Sequence, residues 1–336
     1  MQARIIEVAG DESGFSGSNL IDPTTEVFTH ATHQLSPEVA QYCVDAARAG
    51  SPYSVGEYKS NQLLRPKQRP LLDWLLGATG PLYGKAHVHL TDKPLFMANR
   101  LVELFLGEAG YASMTSLDQD PQSGATALML HRQAPAAFGL DQWHGLLQTL
   151  IAVLRAKRRK QFDILVDRFF HEVDVLQSPG VPGEVIRRLS QARGRVDSLP
   201  ARFRDDRVLP PPLEPLIPAI IDAALHWGAT GRSVVIDHDE QSALTGHRLA
   251  QINQLLLSHD CRPLTVRRVD SRTDPRIQVA DLLAGAARRI ITAELDGQGD
   301  PDLTALIRPY LAPASIWADS RLTANLGSQR AEETLA

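Results

Sequence analysis

The sequence predicts an α/β protein in which a large helical insertion separates the third and fourth strands of a five-stranded mixed sheet. Short apolar or alternating runs, which are typical of strands, occur towards both ends of the chain. Between residues 94 and 231 the apolar residues recur at helical spacing instead. The 336 residues are 43% hydrophobic and 22% charged, which indicates a globular chain long enough for one large domain or two smaller ones.

The first strand is predicted in the apolar run at residues 4–9, which leads into Asp11-Glu12-Ser13-Gly14. A buried strand that ends in acids delivers carboxylates to the edge of a sheet, where a loop or a metal ion can meet them. Residues 10–23 are rich in Gly, Ser, Asp and Asn, and we expect them to form a turn or loop.

Residues 26–35 are predicted as a second strand that pairs with the first, and the odd spacing of His30 and His33 places them on opposite faces. A helical insert is predicted at 36–84. It opens with Ser, Pro and Glu at its first three positions, which is typical of a helix start. Alternation at 85–93 indicates a third strand.

Residues 94–231 are predicted as the helical insertion. Helical stretches are expected at 95–106, 140–175, 183–193 and 214–227, with a loop at 118–124. Within the second stretch, residues 155–160 form the one concentrated basic run of the chain. If this run is helical, Arg155, Arg158 and Arg159 share a face that could contact a phosphate backbone; a solvated helix face is the alternative.

Strand signals return at 232–236, directly before Asp237, and at 263–269. A helix is predicted between these two strands, and a final helix begins near Pro275. Without the inserts, this order matches the ribonuclease-H-like fold, in which the first and fourth strands are central neighbours. Asp11 and Asp237 are therefore expected to be adjacent.

The predicted domain organisation follows from these elements. The α/β core is expected to combine residues 1–93 and 232–318, the helical insertion subdomain to occupy 94–231, and a flexible tail to occupy 319–336.

Three aspartates are predicted to form a centre for Mg²⁺ or Mn²⁺. Two divalent ions about 3.5–4 Å apart can activate water and stabilise a leaving oxygen, and Mg²⁺ prefers oxygen ligands. Asp11, Asp237 and Asp281 are the expected ligands. Asp281 lies early in the last helix, where a favourable interaction with the helix dipole is the alternative explanation for an acid.

Several short motifs resemble, in the same order, those of a bacterial family named only as domain of unknown function 3800. They are Asp11-Glu12-Ser13-Gly14, Glu57-x-Lys59, Asp92-Lys93, Asp270-Ser271 and Gln278-x-Ala280-Asp281-Leu282-x-Ala284-Gly285. The resemblance covers both ends of the chain and none of the helical middle. It implies a ribonuclease-H-like fold and a metal-dependent nuclease site in which Asp11, Glu57 and Asp281 are the acids.

The identity of the fourth acid stays open. Glu57 lies between the second and third strands, whereas the simplest ribonuclease-H pattern places this acid on the helix after strand three, where Glu103 lies. Asp92 is a further candidate. For the substrate, we expect contacts from four polar residues: Ser13, Lys59, Lys93 and Gln278. The two lysines would neutralise a scissile phosphate or would be ordinary surface residues.

These features predict a divalent-metal-dependent phosphodiesterase or nuclease acting on DNA or RNA. The alternatives are a non-catalytic metal- or nucleotide-binding module and a metal hydrolase of small molecules. In the module, the helical insertion would contact a protein partner or a second copy. The net charge of −4 argues against tight non-specific duplex binding. Two cysteines without metal-type spacing, and the lack of a long apolar run, lead us to expect a cytoplasmic protein without membrane contact.

Overall fold

The computed structural model describes residues 5–14, 20–21, 26–49, 63–107, 115, 120–176, 180–199 and 211–317. The chain divides into two compact units. The first contains the described residues of Met1–Phe15, Val27–Thr91 and Ala219–Ala336; the second contains those of Ser16–Glu26 and Asp92–Pro218. The second unit thus ends earlier than the insertion expected at 94–231. The expected tail at 319–336 lies outside the described residues.

The first unit is built on a five-stranded mixed sheet with the order β3-β2-β1-β4-β5. The strands are β1 (Ile5–Ser13), β2 (Val27–His33), β3 (Ala86–Asp92), β4 (Ser233–His238) and β5 (Leu264–Arg268). β1 pairs antiparallel with β2 and parallel with β4, and β4 pairs parallel with β5. The predicted adjacency of the first and fourth strands is confirmed.

The first strand is longer than expected. The turn or loop predicted at 10–23 does not begin at Gly10, because β1 stays paired with β2 as far as Ser13, which lies opposite Thr29. The backbone donors and acceptors of this segment are satisfied by the neighbouring strand, so its polar side chains do not end it. As a result, Asp11 and Glu12 project to opposite faces of the sheet.

The helices, in chain order, are α1 (Pro37–Ala49), α2 (Arg69–Leu76), α3 (Lys93–Phe105), α4 (Pro121–Phe138), α5 (Leu140–Arg155), α6 (Arg159–Val175), α7 (Val181–Gln191), α8 (Leu216–Gly228), α9 (Gly246–Ser258), α10 (Pro275–Leu295) and α11 (Pro301–Ile307). Short 3-10 helices occupy Pro66–Gln68, Ala192–Ser198 and Arg308–Tyr310. The predicted start of α1 is confirmed, since the backbone N–H of Val39 donates to Ser36 Oγ at 3.4 Å.

The stretch predicted as one helix at 140–175 is two helices, because the chain is extended at Ala156 and Arg158. Lys157 and Arg158 in the break are exposed, and in a continuous helix Arg155, Arg158 and Arg159 would stand at i, i+3 and i+4, where like charges repel one another. Consequently, Arg155 ends α5 while Arg159 begins α6 and pairs with Asp163 at 2.8 Å. The single basic helix face that the sequence predicted is not formed.

Two helices cover the two faces of the first unit's sheet. On one face α10 packs against β1 and β2, and Thr29 Oγ1 donates to the carbonyl of Ala284 at 2.8 Å. The small residues Ala284 and Gly285 are buried there. On the other face, Trp227 of α8 donates its indole N–H to Thr32 Oγ1 at 2.8 Å. Asp11 and Ser13 therefore face α10, and Glu12 faces the α8 side.

In the second unit the helices α3 to α7 enclose an aromatic core. Phe105 of α3 stacks on Phe169 of α6, with ring centroids 5.1 Å apart, and Phe170 meets both rings edge-on. Every residue of α3 is buried, including its charged ones. This helix is therefore the centre of the second unit.

Candidate active site

Asp11 is a buried carboxyl at the carboxyl end of the central strand, with only 8% of its surface exposed. The backbone N–H of Glu12 donates to its Oδ1 at 2.8 Å. Burial first, and then the negative charges of Glu12, Asp281 and Asp239, raise the pKa of Asp11 to about 9. Among the described residues no lysine or arginine forms an ion pair with Asp11.

Three other carboxyl groups thus lie within electrostatic reach of Asp11, and we call Asp11, Glu12, Asp239 and Asp281 the acidic cluster. They come from three elements: the end of β1, the residue just after β4, and α10. The carboxyl ends of β1 and β4 meet at one edge of the sheet because these strands are parallel. The charge of Asp281, which the sequence paired with Asp11, thus acts on the Asp11 carboxyl.

Asp239 was not identified from the sequence. The register of β1 and β4 sets Gly10 beside His238, so the next position along β4, residue 239, is level with Asp11. The signal was the Asp237-His238-Asp239 repeat of acids at a strand end. Asp237 and Asp239 are two positions apart and so lie on the same face of the sheet. Only the register of β4 against β1 shows which of them is level with Asp11.

Asp237 does not occupy the metal-ligand position that was expected for it. Its side chain is 2% exposed, and Arg267 donates to both of its oxygens, from Nε at 2.5 Å and from Nη2 at 2.8 Å. Arg276 of α10 approaches Oδ2 at 2.9 Å. Two guanidinium groups already compensate this carboxylate, so the expectation that Asp237 binds metal is corrected: it is an ion-pair partner within the fold.

Ser13 and Gln278, expected to contact substrate, both have partners within the first unit. Ser13 Oγ accepts a hydrogen bond from Arg288 Nε at 3.0 Å. Gln278 donates to the carbonyl of Ser271 at 2.8 Å and accepts from Arg48 at 3.2 Å. Gln278 therefore ties the turn before α10 to α1, which is a structural role.

The remaining candidates are placed differently. Glu57 and Lys59 lie outside the described residues. Asp92, Lys93 and Glu103 belong to the second unit. Lys93 is 1% exposed, so the alternative that it is a surface lysine is wrong.

Asp92 and Glu103 both have structural partners within the second unit. Asp92 caps α3 by accepting from the N–H of Leu95 at 2.9 Å, and its other oxygen lies 3.3 Å from His131. Glu103 pairs with Arg100 at 2.5 Å, and both side chains are almost completely buried. Each carboxylate thus has a local role in positioning or stabilising α3.

The chemistry of the acidic cluster fits a hard divalent cation. Carboxylate oxygens are the ligands that Mg²⁺ and Mn²⁺ take, and accumulated negative charge around a buried carboxyl favours a cation there. Within the described ranges, no three His, Cys, Asp or Glu side chains stand close enough together to hold a metal ion as they are placed. A bound ion would require side-chain rotation in the acidic cluster.

The opposite face of the sheet carries a buried histidine network. His238 of β4 is fully buried and stacks on His30 of β2, with ring centroids 5.3 Å apart. Its Nδ1 donates to the carbonyl of Asp239, and its Nε2 lies 3.5 Å from Glu12 Oε2. Gln241 donates to the other oxygen of Glu12. Glu12 is thereby tied to the α8 side of the sheet.

Further along this face, Asp222 of α8 accepts hydrogen bonds from two histidines of β3 through the same oxygen. His87 Nε2 donates at 2.8 Å and His89 Nδ1 at 2.9 Å. Burial by itself raises the pKa of Asp222, but the charge of His87 and the hydrogen bonds from both histidines outweigh it and hold the pKa below its usual range. Asp222 is the acceptor that orients both imidazoles.

Comparison with known proteins yields no relative: no protein-family model, curated protein or solved structure matches this chain. None of the helices in the described part of the chain is both long and apolar enough to cross a bilayer.

Proposed function

We propose that the protein is a divalent-metal-dependent phosphodiesterase of ribonuclease-H-like fold that acts on nucleic acid. One observation carries this proposal: the charges of Asp239, just after β4, and of Asp281, on α10, both act on the buried carboxyl of Asp11 at the end of β1. The strand order β3-β2-β1-β4-β5 supports the fold. The resemblance of the terminal motifs to domain of unknown function 3800 supports the same assignment.

Asp11, Asp239 and Asp281 would hold the Mg²⁺ or Mn²⁺. The ion would supply an activated water and would stabilise charge on the phosphoryl group. Asp11 must lose its proton to act as a ligand, because its pKa of about 9 keeps it protonated at neutral pH. Affinity for Mn²⁺ is therefore expected to rise with pH up to about 9. Glu12 is anchored through Gln241 and His238, so it would shape the charge of the site without binding the metal.

The test is Mn²⁺ calorimetry on the wild-type protein and on Asp11→Asn, Asp239→Asn and Asp281→Asn. Each variant keeps the size of the side chain and removes one ligand charge, so each should lose measurable Mn²⁺ binding. Asp296→Asn is the matched control, because Asp296 is an exposed acid that ends α10 in the same unit. Unchanged binding in Asp11→Asn would refute the metal centre.

Turnover is then measured with labelled single- and double-stranded DNA and RNA in Mg²⁺ and Mn²⁺. Cleavage by the wild type and none by Asp11→Asn would support the phosphodiesterase.

The second candidate is a non-catalytic metal-binding module, and it is favoured by one finding. As placed among the described residues, the side chains of the acidic cluster do not surround a common point that a metal ion could occupy. Mn²⁺ binding without turnover on any of the four nucleic acids would favour this module.

A further inference from the structure

Arg288 is a partly buried cation on α10, seven residues after Asp281. Positions seven apart lie on nearly the same face of a helix, and helical side chains lean towards the N-terminus. The side chain of Arg288 therefore extends back along α10 towards Asp281. The charge of Asp281 acts on Arg288 accordingly.

The end of β1 is shaped to receive this side chain. Ser13 Oγ accepts from Arg288 Nε at 3.0 Å, which fixes the direction of the guanidinium group. Gly14 has φ +94°, and a Cβ at this position would stand 2.6 Å from Arg288 Cδ and 2.2 Å from the carbonyl oxygen of Val27. Only glycine at position 14 leaves room for the Arg288 side chain, so the end of β1 accommodates the arginine.

Arg288 differs from the arginines around Asp237 in its use of donors. The guanidinium of Arg267 donates to Asp237 and Glu7, and that of Arg276 donates to Asp237 and Asp274. Among the described residues, the one hydrogen-bond acceptor of Arg288 is Ser13, and its Nη atoms have none. Burial lowers the pKa of Arg288, which indicates a cation that is only partly compensated.

We propose that Arg288 binds a non-bridging phosphoryl oxygen of the nucleic-acid strand that the acidic cluster acts on. Carboxylates repel a phosphodiester, and a neighbouring cation offsets this repulsion; the planar guanidinium also presents outward N–H groups suited to phosphate oxygens. Ser13 holds the inner edge of the guanidinium, and the outer edge stays available. This inference rests on the proposed function and assigns to Arg288 a substrate-binding role that the sequence did not suggest.

Binding of a fluorescein-labelled single-stranded oligonucleotide, followed by anisotropy in Ca²⁺, tests this directly. Arg288→Gln is expected to weaken binding about 10-fold or more, the typical loss of a charged hydrogen bond. Arg289→Gln is the matched control: it removes the same charge from the adjacent, exposed residue and should change affinity less than about 2-fold. Equal losses in the two variants, or no oligonucleotide binding by the wild type, would overturn the proposal.

Two further variants keep the test valid if Arg288→Gln folds poorly. Arg288→Lys keeps the charge but loses the planar fork, and we expect an intermediate loss of affinity. Ser13→Ala removes only the anchor and should weaken binding a few-fold. Wild-type affinity in both variants would count against the role of Arg288.

Mn²⁺ calorimetry separates this inference from the metal centre. Arg288→Gln should bind Mn²⁺ as tightly as the wild type does, because Arg288 is not a metal ligand. If Asp11→Asn loses Mn²⁺ while Arg288→Gln keeps full oligonucleotide affinity, only the arginine's role is refuted. If Asp11→Asn keeps Mn²⁺ binding, the metal centre itself is refuted.

Discussion

The position of Asp11 destabilises the folded protein. The side chain is buried at the end of a strand, and three other acids act on it, so its ionised form is disfavoured in the folded protein. A cation at this point would reverse that effect. Sites that bind ligands often carry such a local destabilisation, and its removal stabilises the protein at the expense of function.

Asp11→Asn should therefore stabilise the protein, and more strongly at higher pH. The folded pKa of about 9 lies above the unfolded value near 4, so between these values the native state holds a proton that the unfolded state has released. Stability of the wild type consequently falls as pH rises through this range. We expect a gain in unfolding free energy on the order of 2 kcal/mol at pH 7 and less at pH 5.

The measurement is urea unfolding of the metal-free wild type and Asp11→Asn at pH 5, 7 and 8.5. Asp296→Asn serves again as the exposed control and should show no such trend. A stability difference that stays constant with pH would contradict the assigned pKa of Asp11.

Asp237 is expected to show the opposite behaviour. Asp237→Asn removes the charge that compensates Arg267 and Arg276, and Arg276 is only 18% exposed. We expect a loss of about 2–3 kcal/mol of unfolding free energy. This is less than the full loss on breaking a buried ion pair, because Arg267 is half exposed and water can solvate its charge. Mn²⁺ affinity measured by calorimetry should stay at the wild-type level. A lost Mn²⁺ site in a stable Asp237→Asn protein would restore the original expectation for this residue.

At the scale of elements, β3 and α8 are joined by one carboxylate. Asp222 is the shared acceptor for His87 and His89, which lie two positions apart and so on one face of β3. Replacing Asp222 leaves two buried imidazoles without their acceptor. Contact between this strand and this helix thus depends on a polar interaction as well as on apolar packing.

Asp222→Asn is predicted to destabilise the protein by about 2–4 kcal/mol, because it removes the charge and leaves a poorer acceptor for two buried donors. Thermal unfolding at pH 7 is the measurement. The matched control is Asp141→Asn, an exposed aspartate in the first turn of α5, which should change stability by less than about 0.5 kcal/mol. Equal effects of the two substitutions would show that the shared acceptor is unimportant.

At the scale of the whole molecule, a buried histidine makes the stability of the fold depend on pH. His33 is fully buried, its Nε2 donates to the carbonyl of Arg276 at 2.8 Å, and its Nδ1 accepts from the N–H of Leu35 at 3.2 Å. Burial lowers the pKa of His33 to about 4. Between the unfolded value of about 6.5 and this value, only the unfolded state binds the proton. The contribution of His33 to stability is therefore complete above pH 6.5 and is lost as pH falls towards 4.

His33→Gln should reduce this acid sensitivity. The variant is expected to be less stable at pH 7, since one of its two hydrogen bonds is lost, but its further loss between pH 7 and 5 should be smaller by roughly 1–2 kcal/mol. Urea unfolding at both pH values tests this. His259→Gln is the control because His259 has no buried position in the sheet. Parallel pH profiles for wild type and His33→Gln would disprove the assignment.

Much of the architecture was accessible from the sequence because it follows from local patterns. Apolar or alternating runs located all five strands, and the Ser-Pro-Glu start located α1. The order of the elements predicted that the first and fourth strands are neighbours, and their pairing confirms it. α4 was not singled out, since its Gly124 and Pro135 are residues that weaken a helical pattern.

The sequence by itself determined the α/β class of the fold and placed Asp11 at the end of the central strand and Asp281 near the start of the last long helix, because strand ends and helix starts have local signatures. Only the tertiary structure decided between Asp237 and Asp239, since that choice depends on the register of β1 against β4. It also decided the partners of Arg288 and Asp222. Those contacts join residues more than a hundred positions apart, and no local pattern records which distant side chains will share a face of the sheet.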